Sequence, residues 1–248
     1  MLGSSNSISC ANIMLNAAVA ESLKVYADYL EGAEDFETAL HDMIKNTIKD
    51  HKRILFNGNG YDDAWLEEAA KRGLSNYRTT PDCMPHMLDR KNVDMLTAHK
   101  VFTVPELQSR CEIMLENYCK TVTIEANTMV DMARKQILPA VEGYTAELAG
   151  TIAAKKAVSP DIACGYETGL VKKLSALTDQ IACCTDELET AVLKLKDHTC
   201  VEEEACVIRD TVLSRMAALR AVADEAETLT AEKNWPFPTY GELLFGVR

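Results

Sequence analysis

The chain has 248 residues, enough for one large domain or two small ones, and its 47% hydrophobic and 26% charged residues are an ordinary globular mixture. Its net charge of −12 repels phosphate backbones and anionic lipid, which argues against nucleic-acid and membrane partners. No apolar run approaches the ~20 residues that span a bilayer, and no basic segment opens a signal peptide.

The nine cysteines are an odd number with no CxxC spacing. They read as reduced, mostly buried thiols of a cytoplasmic protein rather than a disulfide framework. Aromatics are only 6%. Ala, Leu, Glu and Lys are plentiful, and these are helix formers.

A small, polar stretch through Ser9 leads straight into a first helix, expected over about Ala11 to Leu30, with Ile13, Ala17, Ala20, Leu23 and Ala27 at helical spacing. Gly32 stops it. A second helix, about Phe36 to Asp50, places Phe36, Leu40, Ile44 and Ile48 on one stripe. Asn57-Gly58-Asn59-Gly60 demands a turn. Asp62 or Asp63 then starts a short helix that ends at Gly73, and Pro81 and Pro85 break the stretch from Ser75 to Val101 into short pieces.

Thr103-Val104-Pro105-Glu106 is a helix start: a Thr cap, an early proline and an acidic first turn agree. That helix is expected to reach Leu138, before Pro139 and Gly143, a rod of about 50 Å. From Tyr166, the residues Leu170, Leu174, Leu177, Ile181, Cys184, Leu188, Ala191 and Leu195 step by alternating fours and threes, a coiled-coil seam. Asp197-His198 breaks it, and Thr199 to Glu202 fits a capping box.

The next stripe is Val201, Ala205, Ile208, Val212, Met216, Leu219, Ala223 and Ala226. Two long helices joined by a short turn run antiparallel, so a helical hairpin from Tyr166 to Leu229 is expected. The proline spacing of Trp235-Pro236-Phe237-Pro238-Thr239-Tyr240 keeps that tail from being helical, and its aromatics are expected to dock on a neighbouring surface. The fold class is therefore all-α: long helices forming a bundle with an antiparallel helical hairpin.

Chemistry-bearing motifs are scarce. Neither GxxxxGK[ST] nor GxGxxG occurs, and the Asn57 to Gly60 turn is a phosphate cradle only in its glycine content. HExxH is absent, and so is the Glu-x-x-His pair that a carboxylate-bridged metal bundle needs. Cys83 and His86 have the spacing of half a zinc site with no second half. Glu125 lies among residues that look buried, where a carboxylate either carries a raised pKa or pairs with a base such as Arg134. Glu116–Lys120 and Asp131–Lys135 are i,i+4 surface pairs, and Glu202-Glu203-Glu204 complements a helix dipole. The residues alone assign no catalytic, cofactor-binding or metal-binding site.

Four segments carry a resemblance. The first is Gly3-Ser4-Ser5 with Asn12, Leu15-Asn16 and Val19 to Ser22. The second runs from His51 through Asn57-Gly58-Asn59-Gly60-Tyr61 to Trp65, Glu67, Glu68, Ala69 and Arg72-Gly73-Leu74. The third, the most specific, is His99 to Phe102 with Glu106-Leu107, Ser109-Arg110, Glu112-Ile113, Leu115-Glu116, Tyr118, Lys120-Thr121, Ile124-Glu125-Ala126, Thr128-Met129, Asp131 to Ala133 and Ile137 to Ala140. The fourth is Trp235-Pro236, Pro238 to Gly241 and Leu243 to Phe245. Together they resemble the C-terminal part of the type III glutamine synthetases, the long-chain form found mainly in bacteria. Between Val141 and Lys233 the likeness is in helical character. Cys10-Ala11 departs from the Gly-Pro-like pair expected at the start of the first helix.

The resemblance implies that residues 1–60 are a remnant of the α+β catalytic domain and 61–248 its helical C-terminal domain. It implies ligation of ammonia to glutamate through an ATP-phosphorylated carboxylate, with Mg²⁺ or Mn²⁺ neutralising phosphoryl oxygens. The carboxylates and arginines that do this lie upstream of Met1 in the family, so the chain by itself is expected to be inactive and to hold no cofactor. Met1 would be an internal methionine, and the first helix would expose its apolar stripe as an assembly surface. Other glutamine synthetase subunits, stacked in hexameric rings, are the implied partners, with neither nucleic acid nor membrane among them. The alternative is a standalone helical interaction module that binds a protein through the hairpin.

Overall fold

A computed structural model describes residues 7–246, which divide into two compact units meeting between Met114 and Leu115 in sequence. Gly3-Ser4-Ser5 of the first resemblance segment lies outside the described residues. Among the described residues every regular element is helical and no β-strand forms.

In the first unit α1 spans Ser9–Glu31 and α2 spans Phe36–His51. Asp35 caps α2, its carboxylate accepting from the Glu37 amide at 3.2 Å and from the Thr38 hydroxyl at 2.6 Å. The turn at Asn57 to Gly60 forms as expected, with the Asn59 side chain accepting from the Tyr61 amide at 3.1 Å. α3, Asp63–Lys71, is capped by Asp62 and closed by Gly73 at φ +69°. The Leu74 and Gly73 amides donate back to Ala69 and Ala70, a Schellman closure that needs a left-handed residue. α4, Thr80–Cys83, and a 3₁₀ turn over Met84–Leu88 precede α5, Arg90–Ala98.

The core of this unit is small: Ala17, Met87, Leu96 and Leu107, with Met14, Val93 and Phe102 half-buried around it. The expectation that α1 exposes its apolar stripe holds for most of that stripe. Ala17 is buried and Ile13 half-buried, but Ala20, Leu23 and Ala27 are exposed. α5 packs against α1 around Ala17, and among the described residues Leu23 and Ala27 stay uncovered.

α6 spans Val104–Met132. The Glu106 carboxylate reaches back to accept from the Thr103 amide at 2.7 Å and the Thr103 hydroxyl at 2.8 Å, so the predicted start holds. The predicted stop at Leu138 does not hold. A π-helical turn over Ala133–Ile137 leads directly into α7, Leu138–Val158, which contains Pro139 and Gly143. The wider turn relieves the clash a proline ring makes with the carbonyl four residues back, so the rod continues.

In the second unit α8, Gly165–Lys194, packs against α7 on one side and α10, Leu213–Leu229, on the other. α9, Val201–Val207, joins α10 through a second π turn over Ile208–Val212. Cross-pairs give the directions. Lys173 meets Glu225 at 3.1 Å and Glu187 meets Arg215 at 2.5 Å, so α8 and α10 run antiparallel. Arg134 meets Glu189 and Lys155 meets Glu167, so the rod through α7 is antiparallel to α8 as well.

The seam of α8 buries Leu174, Leu177, Ile181, Leu188, Ala191 and Leu195. Leu170 and Cys184 are the exceptions: both are half-buried, and beside Cys184 it is Thr185 that is fully buried, its hydroxyl donating to the Ile181 carbonyl at 2.6 Å. Two covering helices widen the buried stripe beyond a two-helix seam, and it takes in Thr185 and Val192. Thr199 is corrected too. It lies outside the helix, which Cys200 precedes without any side-chain cap to the backbone. The Glu204 amide already bonds the Cys200 carbonyl at 3.0 Å, setting the helix one residue later than a Thr199 cap requires.

The tail returns to α7. Lys233 Nζ and Asn234 Nδ2 donate to the Glu147 carboxylate at 2.6 and 2.9 Å. Trp235 and Phe237 meet edge to face, 6.1 Å between centroids. The expectation that the tail stays non-helical through Tyr240 does not hold: α11, Tyr240–Phe245, starts two residues after Pro238, opened by a complete Thr239–Glu242 capping box.

Lys100 closes α5 with the same hydrogen-bond pattern that Gly73 gives α3, but at φ +55° with a side chain attached. Replacing Lys100 with Gly should stabilise the first unit by about 1 kcal/mol, read as a raised thermal midpoint. An unchanged or lowered midpoint would contradict the strain assigned to Lys100.

Candidate functional site

The residues that sequence chemistry picked out do not converge. Cys83 is exposed, and His86 is engaged elsewhere: its Nδ1 is 3.0 Å from the Asp89 carboxylate and its ring stacks on Tyr77 at 4.0 Å. Among the described residues no group of three or more His, Cys, Asp or Glu side chains is placed to hold a metal ion. Glu125 is exposed, contrary to its apolar sequence surroundings. Arg134, the base offered for it, instead holds Glu189 through two bonds of 2.7 Å and Asp186 at 2.8 Å. Burial pushes the Cys119 thiol up to about 11, so it stays protonated and unreactive near neutral pH.

The residues of the second resemblance segment do come together, for a structural purpose. Arg72 pairs with Glu68 at 2.6 Å and donates to the carbonyls of Leu55 at 2.8 Å and Arg53 at 3.2 Å. Its guanidinium lies 5.7 Å from the Trp65 ring, which stacks on Phe56 at 4.2 Å. This knot ties α3 to the irregular chain before it. Gly58 belongs to it as well, since a Cβ there would lie 2.5 Å from the Phe56 ring. In the same unit His99 Nε2 is 2.6 Å from the Glu21 carboxylate and anchors α1 to the end of α5.

What is left open is apolar surface. Leu15, Val19 and Leu23 on α1, Phe36, Ile44 and Ile48 on α2, and Ile54 and Leu55 after it are exposed, with Leu15 at 65%, Leu23 at 62% and Ile48 at 57%. Scattered apolar residues are ordinary on a surface, but eight in two neighbouring helices and the turn that follows mark an interaction face. The second unit presents the opposite character. Its hairpin exterior is laced by the Arg134, Lys173 and Arg215 pairs described above.

A family model for the glutamine synthetase C-terminal domain matches residues 39–156. A glutamine synthetase of Butyrivibrio fibrisolvens is 40% identical over 215 residues, 87% of this chain and 31% of that protein. A type-3 glutamine synthetase of Dictyostelium discoideum is 29% identical over 98% of this chain and 34% of its own length, and a glutamine synthetase of Bacteroides fragilis (strain YCH46) gives the same three figures. The chain belongs to the glutamine synthetase family. It carries the C-terminal domain, and it spans about a third of the length of the curated relatives it matches. The type III resemblance of the four segments agrees with the type-3 relative.

Several local motifs were legible: the helix starts at Asp62 and Thr103, the Asn-Gly turn, and the Glu116–Lys120 and Asp131–Lys135 pairs, both of which form. Two sets of contacts carried no sequence signal, Arg134 with Asp186 and Glu189, and Glu147 with Lys233 and Asn234. They join residues more than fifty positions apart, and only tertiary packing brings them together.

Hydrogen bonds from Lys233 and Asn234 lower the Glu147 carboxyl below its ordinary 4.5, and bonds from Lys155 and Arg134 do the same to Glu167 and Glu189. A lowered folded-state value gives stability that is complete above the unfolded value and lost as pH falls through the folded one. The urea midpoint of the second unit should therefore fall as pH drops below about 4.5, and Glu147→Gln should make that fall shallower. A midpoint flat from neutral to pH 3 would contradict both. For the apolar face, Leu15→Asp with Leu23→Asp and Ile48→Asp should reduce self-association in light scattering while far-UV helicity holds. Unchanged scattering would remove the face as an interaction surface.

Proposed function

We propose that the chain is the C-terminal portion of a type III glutamine synthetase, which ligates ammonia to glutamate at the expense of ATP, and that the isolated chain is inactive. The observation that carries this reading is coverage: relatives named glutamine synthetase align with 87–98% of this chain while it spans only 31–34% of them. In this reading residues 1–60 are the end of the catalytic domain and 61–248 the helical C-terminal domain. The family model already begins within α2, at residue 39.

ATP and Mg²⁺ or Mn²⁺ belong to the reaction in the longer protein. The described residues offer no acidic or His/Cys cluster that fits such an ion, so no step is assigned to them. What this chain contributes is structural. The open face of α1 and α2 packs on the rest of the catalytic domain, and the paired helices of the second unit support the assembly of subunits into a homo-oligomer. A cytoplasmic location accords with nine free thiols, which a reducing compartment maintains. No described helix is long and apolar enough to cross a membrane.

The test is a side-by-side assay of ATP- and Mg²⁺-dependent glutamine formation. The longer polypeptide encoded in the same reading frame should be active and the 248-residue chain should not. Activity of the short chain, or its accumulation in cells as a separate product, would favour a standalone module instead.

A further inference from the structure

The tail between α10 and α11 is fastened to the second unit in two ways. Lys233 Nζ and Asn234 Nδ2 donate to the Glu147 carboxylate of α7 at 2.6 and 2.9 Å. Trp235 and Phe237 pack toward Met129 and Met132 of α6, Ile137 of the π turn and Leu219 of α10. Both fastenings are weak. The Lys233 and Glu147 side chains are 70% and 48% exposed, so water competes for their ion pair. Between the aromatics and the helices a cavity of about 300 Å³ is left, and side chains that face a void forgo the contacts close packing gives. Tyr240, Leu243, Leu244 and Phe245 of α11 are 65–84% exposed, so α11 adds little that holds the tail down.

Two polar atoms act against closure. Asn234 Oδ1 and Trp235 Nε1 have no hydrogen-bond partner and almost no surface that water can reach. Both are cut off from water with nothing in its place while the tail is packed, and both regain it when the tail lifts. An unpaired buried group destabilises the state that buries it. Folded chains leave few such groups, and here two fall on consecutive residues.

We propose that residues 231–238 form a strap that opens and closes while α8 and the helices flanking it stay packed. Glu147 is its latch, and the unpaired atoms of Asn234 and Trp235 favour the open state. Opening bares the apolar side chains of Met129, Met132, Ile137 and Leu219. Elements that move are drawn from the least stable parts of a fold, and the strap is such a part beside the fully buried seam of α8. The device lies wholly in the second unit and stands independently of the catalytic assignment above.

Native-state hydrogen exchange on the full chain, followed by NMR, reads the opening. The Asn234 and Trp235 amides, bonded to the Ala231 carbonyl at 2.8 and 3.2 Å, report the strap, and those of the buried Ile181 and Leu188 report the core. The strap amides should exchange at least a hundredfold faster than the core amides. Glu147→Gln should speed the strap amides about fivefold and leave the core amides unchanged. The decisive change has the opposite sign. The chain has two tryptophans, so in a Trp65→Phe background 3-benzothienylalanine supplied in place of tryptophan enters at position 235 alone. It keeps the bicyclic shape and replaces the N–H with sulfur. Strap exchange should slow about fivefold, because the closed state no longer buries an unpaired donor. One common rate for strap and core, a Glu147→Gln effect that is absent or equally large in α8, or strap exchange unchanged or faster with the sulfur analogue would each overturn the proposal.

Discussion

The second unit depends on one constraint: α8 must be covered on two sides. Its fully buried residues, Leu174, Ile181, Thr185 and Leu188, occupy a stripe broader than one partner helix can hide. The rod through α7 covers one flank and α10 the other. At about 25 cal/mol per Å² of apolar surface, burying side chains of this size contributes roughly 1.5–3 kcal/mol each, far more than the exposed ion pairs around them. Those pairs have a different role. Arg134 with Asp186 and Glu189, Lys173 with Glu225, and Arg215 with Glu187 hold register and direction between helices whose apolar stripes alone would tolerate sliding.

The first unit is built on another principle. Its core centres on Ala17, Met87, Leu96 and Leu107, and after α2 its elements are short. Local devices carry more of the order: the Asp35, Asp62 and Thr79 caps, the left-handed closures at Gly73 and Lys100, and the Arg72 guanidinium bonded to two carbonyls and a carboxylate. None of these hides the apolar side chains of α1 and α2. A unit whose core is this small and whose face is this apolar is suited to packing against further protein. That agrees with a chain that spans a third of its relatives.

The family's chemistry has left no cluster of ligating or nucleophilic side chains among the described residues, and the thiols are dispersed. The residues that carry the family resemblance act here as supports. Phe56, Trp65, Glu68 and Arg72 form the knot, His99 bonds Glu21, and Thr239 and Glu242 cap α11. The exception is Trp235, whose ring helps to close the tail over the rod while its N–H stays unpaired.

Helix identity, the antiparallel hairpin and the turn positions were determined by the sequence, because 3.6-residue periodicity, capping residues and Asn-Gly pairs act over a few residues at a time. The family was legible too, from residues spread along the whole chain. Tertiary structure decided what periodicity does not encode: how many neighbours each helix has. A heptad stripe names the residues facing one partner, so it pointed to Cys184, and the second partner of α8 made Thr185 the buried residue. The same lack of neighbour information left Glu125 looking buried when it is exposed. It also made Pro139 read as a stop, where the π turn lets the rod run on to Val158.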